Sequence, residues 1–258
     1  MIVLILLAGA CRVSAQALVF LVQAPVWAQS DVLFDAQPFA ERLSATLGAP
    51  VVVRRSEDVL SHWRTVRDGR GFDLVFDEAH FTAYRVSHHG FTVLAQAEQE
   101  VRFAIVVRPR TLITAPSDLS ARKVASPAPP ALAALRLLRL FPDSMHAPVL
   151  VPATSPQQAL LALSMGEVSA AILPTTAAEM LSGVQIALET DASPGRAFSV
   201  SASISAVQRR KLLELFRELT ASAPGRAVLS GLAASRLQAV SSGVYEDAEQ
   251  LLKGTWGY

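Results

Sequence analysis

Short apolar runs alternate along the chain with longer segments in which apolar residues recur every three or four positions. Runs of three to five apolar residues, at 51–53, 72–76, 103–107 and 170–173, predict buried β-strands. The periodic segments between them, such as 131–140, predict helices with one apolar face. Strands that alternate with helices are typical of a doubly wound, parallel sheet, so the pattern predicts an α/β fold.

Residues 69–94 contain a complete strand–helix–strand unit. Asp77 and Glu78 follow its first strand directly, and helical spacing then covers 79–86, with His80 in the first turn. Ligands of open α/β sheets bind beyond the carboxyl ends of strands, so these three side chains are candidate ligand-binding residues. In the alternative interpretation Asp77 caps the helix and Glu78 interacts with its dipole.

The rest of the chain predicts two lobes, because polar segments near residues 97 and 192 interrupt the alternation. We assign residues 16–97 together with 193–258 to lobe 1, and residues 98–192 to lobe 2. Lobe 1 is then built from both ends of the chain. Each lobe is expected to be a mostly parallel sheet flanked by helices, with a hinge between the lobes.

The first thirty residues resemble a secretory signal. Residues 1–10 are apolar but too short to span a bilayer, and Cys11 follows small residues as a candidate lipid anchor. We assign 1–15 to the signal-like segment, although a second cleavage-like site ends at Ala28. The earlier end is preferred because the later one would discard the run 17–22, which is needed as the first strand. The protein is therefore expected to be exported to the periplasm.

Composition excludes several classes of function. The 258 residues are 51% hydrophobic and 17% charged, which is typical of a globular protein with a large core. With 23 basic and 22 acidic residues there is no general positive field, so we expect no nucleic-acid partner. A single cysteine excludes an internal disulfide and a cysteine-based metal cluster. Zinc binding by His80, His88 and His89 stays formally open, but the pair His88 and His89 has no carboxylate close to it in the sequence, so we expect neither a metal site nor a cofactor.

Three stretches and the order of elements resemble a known family. The stretches are 37–48, 72–85 and 157–173, and the likeness runs from residue 17 to about residue 250. They are similar to type 2 periplasmic substrate-binding proteins of the phosphate/phosphite/phosphonate family. That family binds a small molecule between two lobes, closes about a hinge and docks on the permease of an ABC importer. The resemblance implies a solute-binding protein rather than an enzyme, with the permease as partner, and we expect a monomer.

The resemblance also implies positions for the ligand. The loop after the first strand corresponds to residues 23–27, and the anion-holding helix start corresponds to Ser126 and the residues after it. The complete set of ligand-binding candidates is Trp27, Asp77, Glu78, His80, Ser126, Thr154, Ser155 and Thr175.

Two departures from the family pattern bear on the ligand. The helix start reads Ser-Pro-Ala-Pro-Pro at 126–130, so three prolines lack the backbone N–H groups that would hold phosphonate oxygens. Asp77 and Glu78 add negative charge where an anion would approach, unless a cation or an arginine intervenes. The sequence therefore predicts a cationic, zwitterionic or neutral ligand rather than a plain phosphonate.

Two rival functions remain open at this point. The same fold could deliver its ligand to a membrane sensor kinase instead of a permease, and the sequence does not separate the two. Asp77, Glu78 and His80 could also supply acid–base chemistry to an enzyme. Against an enzyme, the sequence has no Gly-x-Ser-x-Gly elbow, no phosphate loop and no HExxH helix.

Overall fold

The structure is a computed structural model that describes residues 16–27, 34–97, 100–141, 143–254 and 258. The signal-like segment 1–15, the lipid anchor at Cys11 and the cleavage site at Ala28 lie outside the described residues. Within those ranges, no helix combines the length and the apolar character needed to cross a membrane.

Strands and helices alternate as the sequence pattern predicts. The strands are β1 (Leu18–Val22), β2 (Val51–Arg55), β3 (Leu74–Asp77), β4 (Thr92–Gln96), β5 (Glu100–Val101), β6 (Phe103–Val107), β7 (Lys123–Ser126), β8 (Val149–Pro152), β9 (Ala170–Pro174), β10 (Gln185–Glu189), β11 (Ser193–Pro194), β12 (Ala197–Val200) and β13 (Gln238–Ala239). The α-helices are α1 (Gln37–Leu47), α2 (Val59–Asp68), α3 (Ala79–His89), α4 (Leu132–Arg139), α5 (Pro156–Met165), α6 (Thr175–Ala178), α7 (Ala206–Ala221) and α8 (Ala223–Ser230). Short 3₁₀ helices cover Pro116–Leu119 and Ser144–His146, and a longer one covers Ser242–Leu252.

The first sheet has the strand order β13-β4-β12-β3-β1-β2. β1 is parallel to β2 and β3, while β12 lies between β3 and β4 and is antiparallel to both. Its core includes a group of aromatic rings from the sheet and from α1 and α7. The rings of Phe39 and Phe216 stack at 6.1 Å, and that of Phe198 packs edge-on against Phe216 at 4.8 Å. Such contacts hold α1 and α7 on one face of the sheet.

The second sheet has the order β10-β6-β9-β7-β8. β7 is parallel to β8 and β9, and β6 is antiparallel to β9 and β10. In both sheets most strands therefore point the same way, and one internal strand, β12 or β6, runs against its neighbours. This confirms the prediction of an α/β fold with mostly parallel sheets.

A two-stranded ribbon connects the two sheets. β5 pairs antiparallel with β11, so that the chain leaves the first sheet through β5 and returns to it through β11. β6 and β12 each follow directly after one strand of this ribbon, and each is antiparallel to both of its neighbours.

Candidate functional site

A cavity of about 830 Å³ lies between the two sheets and takes its walls from both of them. Its lining is largely apolar, and the residues that matter below are Trp27, Glu78, Phe103, Leu132, Thr175 and Arg196. Clefts of this size, with apolar walls and a few polar groups, are the usual form of a small-molecule site.

Two of the predicted ligand residues, Trp27 and Thr175, line this cavity. The indole N–H of Trp27 donates to the carbonyl of Ala153 at 3.3 Å, which joins the loop after β1 to the end of β8 in the other sheet. Thr175 begins α6, directly after β9. Its hydroxyl is buried and has no hydrogen-bond partner among the described residues. A buried hydroxyl without a partner is costly, so this one is a natural contact for a ligand.

Glu78, the third predicted residue in the cavity wall, reaches from the first sheet to the second. One oxygen of its carboxyl group, Oε2, accepts hydrogen bonds from the side-chain amide of Gln23 at 3.2 Å and from the backbone N–H of Leu132 at 3.4 Å. Burial raises the pKa of Glu78 to about 7, against the opposing effects of these bonds and of Arg196. The carboxyl group therefore changes its charge near neutral pH.

Asp77 lies elsewhere, although it is the preceding residue. Its side chain is 0% exposed, and both carboxylate oxygens accept bonds from Arg85. Thr82 and His62 each donate to it at 2.8 Å. Burial alone would raise the pKa of Asp77, but the Arg85 guanidinium and the hydrogen bonds outweigh burial and hold the pKa well below its usual range. Asp77 is thus occupied by internal partners, behind the cavity wall.

The capping interpretation of these residues is wrong for Asp77. The N-cap residue of α3 is Glu78, and no side chain caps that helix. The arginine that the sequence argument allowed for is Arg85, eight residues after Asp77 on α3. The buried charge of Asp77 is therefore neutralised inside the first lobe.

His80 is also buried, at the contact between the two sheets. Its Nε2–H donates to the carbonyl of Pro130 at 2.9 Å, because a carbonyl can only accept. Its Nδ1 has no partner among the described residues. Burial lowers the pKa of His80 to about 3, so the ring is neutral. His80 joins the two lobes and is not part of the cavity wall.

The predicted anion-binding residue Ser126 is occupied as well. It is fully buried, and its hydroxyl donates to the carbonyl of Pro127 at 2.9 Å. Among the residues of the helix start, only Pro127 lines the cavity, and proline has no N–H to offer. The structure therefore gives Ser126 a local partner within its own loop.

Thr154 and Ser155 serve the start of α5. The Ser155 hydroxyl accepts from the backbone N–H of Gln158 at 3.1 Å as an N-cap. The Thr154 hydroxyl donates to the side chain of Gln158 at 3.0 Å. Both hydroxyl groups therefore have partners on their own helix, and neither residue lines the cavity.

Sequence reasoning missed Arg196 as a cavity residue. Its guanidinium donates to the carbonyls of Leu232 at 2.9 Å and Ala233 at 2.6 Å, and it lies 5.0 Å from the ring of Phe76. Nothing near Arg196 in the sequence marks it, because its partners come from the far C-terminal part of the chain. Within the described ranges, no group of three His, Cys, Asp or Glu side chains could hold a metal ion.

Comparison with known proteins agrees with this geometry. Residues 23–245 match the family described as "ABC transporter, phosphonate, periplasmic substrate-binding protein". No protein of curated function matches the sequence.

Solved structures share the fold at low sequence identity. XAC2383 from Xanthomonas citri, bound to ATP, superposes with a TM-score of 0.73 at 12% identity, covering 92% of this chain and 96% of that one. PhnD1 from Prochlorococcus marinus, in complex with methylphosphonate, gives 0.71 at 16% identity, with coverages of 92% and 97%. PA3383 from Pseudomonas aeruginosa, a binding protein of a phosphonate ABC transporter, gives 0.67 at 16% identity, with coverages of 93% and 85%. At these identities the likeness establishes the two-lobed fold alone.

Proposed function

Because the chain belongs to the periplasmic substrate-binding proteins of phosphonate-type ABC transporters, we propose that it captures a small molecule between its lobes and delivers it to a membrane permease. The observation that carries the proposal is the cavity of about 830 Å³ with walls from both sheets. As in the family, its site of action is outside the cytoplasm, and its work is binding rather than catalysis.

The mechanism that we propose is closure about the β5–β11 ribbon. We keep the division into residues 16–97 with 193–258 and residues 98–192, because the ribbon crosses between the sheets at both boundaries. Side-chain hydrogen bonds join the lobes in the form described, and they run between Trp27 and Ala153, Glu78 and Leu132, His80 and Pro130, Arg136 and Ser193, and Arg139 and Gln250. A ligand that contacts both lobes would favour this form by its higher affinity for it.

The ligand that we propose is neutral or positively charged and has an apolar body. The hydroxyl of Ser126 is already used by a carbonyl, and the first free N–H of α4, that of Leu132, is already used by Glu78. Two of the donors that an anion would use at this helix start are therefore already taken. Trp27 and Phe103 offer apolar wall, and Thr175 offers an unused hydroxyl.

A thermal-shift screen of the purified protein tests the binding function. The library would contain amines, amino acids, alcohols, phosphonates, phosphite and sulfonates. We expect a compound of the first three classes to raise the melting temperature in a dose-dependent way, as binding to the folded state requires. Trp27→Ala should weaken that response, whereas Thr154→Ala, outside the cavity, should keep it.

The screen has two contrary outcomes. If only anions stabilise the protein, the proposed ligand class is wrong while the binding function stands. If no compound of any class stabilises it, the importer function itself loses its support, and a role in docking to another protein, such as a sensor kinase, gains it.

A further inference from the structure

Glu78 is held in place from both lobes. The side-chain amide of Gln23, which is 3% exposed, accepts from the backbone N–H of Glu78 at 3.2 Å and donates to its carboxyl group at 3.2 Å. The backbone N–H of Leu132 approaches the same carboxyl oxygen from the other lobe. The carboxyl oxygen that accepts these hydrogen bonds is Oε2, and neither of the two donors bonds to Oε1.

The carboxyl group of Glu78 lies at the positively polarised N-terminus of α4. Leu132 is the first residue of α4, and the N–H groups of a helix's first turn carry partial positive charge. An anionic ligand of an α/β protein usually binds there. In this chain the protein's own carboxyl group is already at that place, bound through a defined contact.

We propose that Glu78 makes the cleft select ligands by their charge, a proposal that rests on the binding function proposed above. Its carboxyl group fills the anion position at the start of α4, so that the cleft rejects anions and accepts an amine through Oε1. The inference deepens the proposed function by naming the ligand's head group as a positively charged amine on an apolar body.

Besides Glu78, the charged side chains in the cavity wall are Glu100, Glu179, Arg102, Arg196 and Arg226. Asp77, on the same strand end, is neutralised by Arg85. Arg196, at the start of β12, directs its guanidinium to the carbonyls of Leu232 and Ala233. Burial raises the pKa of Glu78 to about 7, against the opposing effects of Gln23, Leu132 and Arg196. An amine bound at Oε1 would stabilise the carboxylate and lower that pKa.

The test uses three probes that share one apolar body and differ in charge: benzylamine, benzyl alcohol and benzylsulfonate. Binding of each to the full chain would be measured by calorimetry at pH 6 and pH 8. We expect the wild type to prefer benzylamine, with affinity rising from pH 6 to pH 8 as Glu78 loses its proton. Benzylsulfonate should bind at least tenfold more weakly than benzylamine at pH 8.

Two variants separate the effect of the negative charge of Glu78 from the effect of its side chain filling the anion position at the start of α4. Glu78→Gln removes the charge and keeps the shape, so benzylamine affinity should fall at least tenfold. Glu78→Ala also frees the N–H of Leu132, so benzylsulfonate affinity should rise at least tenfold. Glu41→Gln, on the exposed side of α1, is the matched control for the loss of one charge and should change neither affinity. Circular dichroism would confirm that each variant is folded.

These measurements test the role of Glu78 independently of the library screen. Unchanged benzylamine binding in Glu78→Gln, or no gain of benzylsulfonate binding in Glu78→Ala, overturns it. The proposed function would then stand or fall on the library screen alone, because that screen does not depend on Glu78. If Glu78→Ala fails to fold, the pH dependence of benzylamine binding in the wild type decides: a flat profile between pH 6 and pH 8 overturns the inference.

Discussion

The interior of the first lobe and the cleft between the lobes each contain one carboxyl group from a pair of adjacent residues at the end of β3. The two groups differ in their burial, their charge and their partners. Asp77 is fully buried, ionised and paired with Arg85. Glu78 is in the cavity wall, contacts the other lobe and titrates near neutral pH. Successive side chains at a strand end point to opposite sides. The comparison shows that adjacency in sequence predicts neither a shared role nor a shared environment.

The largest expected effect is on stability and comes from Asp77. Asp77→Asn leaves the Arg85 charge buried without a counter-ion, so the free energy of unfolding should fall by about 3–5 kcal/mol. Glu78→Gln should cost less than about 1 kcal/mol, because a neutral amide can still accept from the N–H of Leu132. Urea unfolding of both variants measures the contrast. Adding Arg85→Met to Asp77→Asn should recover part of the loss. If the two single variants lose equal stability, the contrast between the regions is wrong.

The pH dependence of stability should be the next largest effect. Because burial lowers the pKa of His80 to about 3, below its ordinary value of 6.5, its contribution is present above pH 6.5 and is lost as the pH falls. At pH 5.5 the loss should be about 1.4 kcal/mol relative to pH 7.5. His62, whose pKa is also lowered by burial, acts in the same direction, while Glu78 acts in the opposite one.

Urea unfolding at the two pH values would measure the His80 contribution. His80→Gln keeps a donor for the Pro130 carbonyl but removes the titration. Its free energy of unfolding at pH 7.5 minus that at pH 5.5 should therefore be about 1.4 kcal/mol lower than the same signed quantity for the wild type. Comparing the variant with the wild type at each pH cancels the effect of Glu78. His146→Gln, on an exposed 3₁₀ turn, should behave as the wild type. An equal difference in all three proteins would contradict the burial of a neutral His80.

The smallest expected effect comes from Thr175 in the cavity wall, where a substitution should change ligand affinity but not stability. Thr175→Val removes a buried hydroxyl that has no partner in the described protein, so the free energy of unfolding should stay within about 0.5 kcal/mol or rise. Ligand affinity should fall about fivefold, the value of one hydrogen bond of about 1 kcal/mol. Calorimetry with a compound from the screen measures it, with Thr154→Val as the control. A loss of stability without a change in affinity would give Thr175 a purely structural role.

The sequence predicted the fold well because the signals for it are local. Apolar runs marked strands of both sheets. Gly48 and Gly90 end α1 and α3 in the left-handed region, and a glycine at that position is a local signal of a helix end. Ser155 caps α5 and Pro156 is the first residue of that helix, an arrangement that is a common local signal of a helix start.

The site was harder to predict because its contacts are distant in sequence. The bond from Leu132 to Glu78 spans 54 residues and the bond from His80 to Pro130 spans 50. Glu78, Trp27 and Thr175 were predicted as ligand residues and lie in the cavity wall, whereas the hydroxyl of Ser126 turns to a neighbouring carbonyl. The rotamer of a hydroxyl group and the partner of a carboxylate depend on how the folded chain packs. The residues next to them in the sequence do not indicate either one.

The insertion of β12 between β3 and β4 sets the order in which the lobes are completed during synthesis. Every strand of the second sheet lies between residues 103 and 189, so that lobe is contiguous and can fold as soon as it has emerged. The first lobe cannot, since its central strand, Ala197–Val200, is synthesised only after the whole second sheet. A nascent chain that stops before residue 197 would hold one finished lobe and one sheet with a gap in its middle, exposing two unpaired strand edges to aggregation.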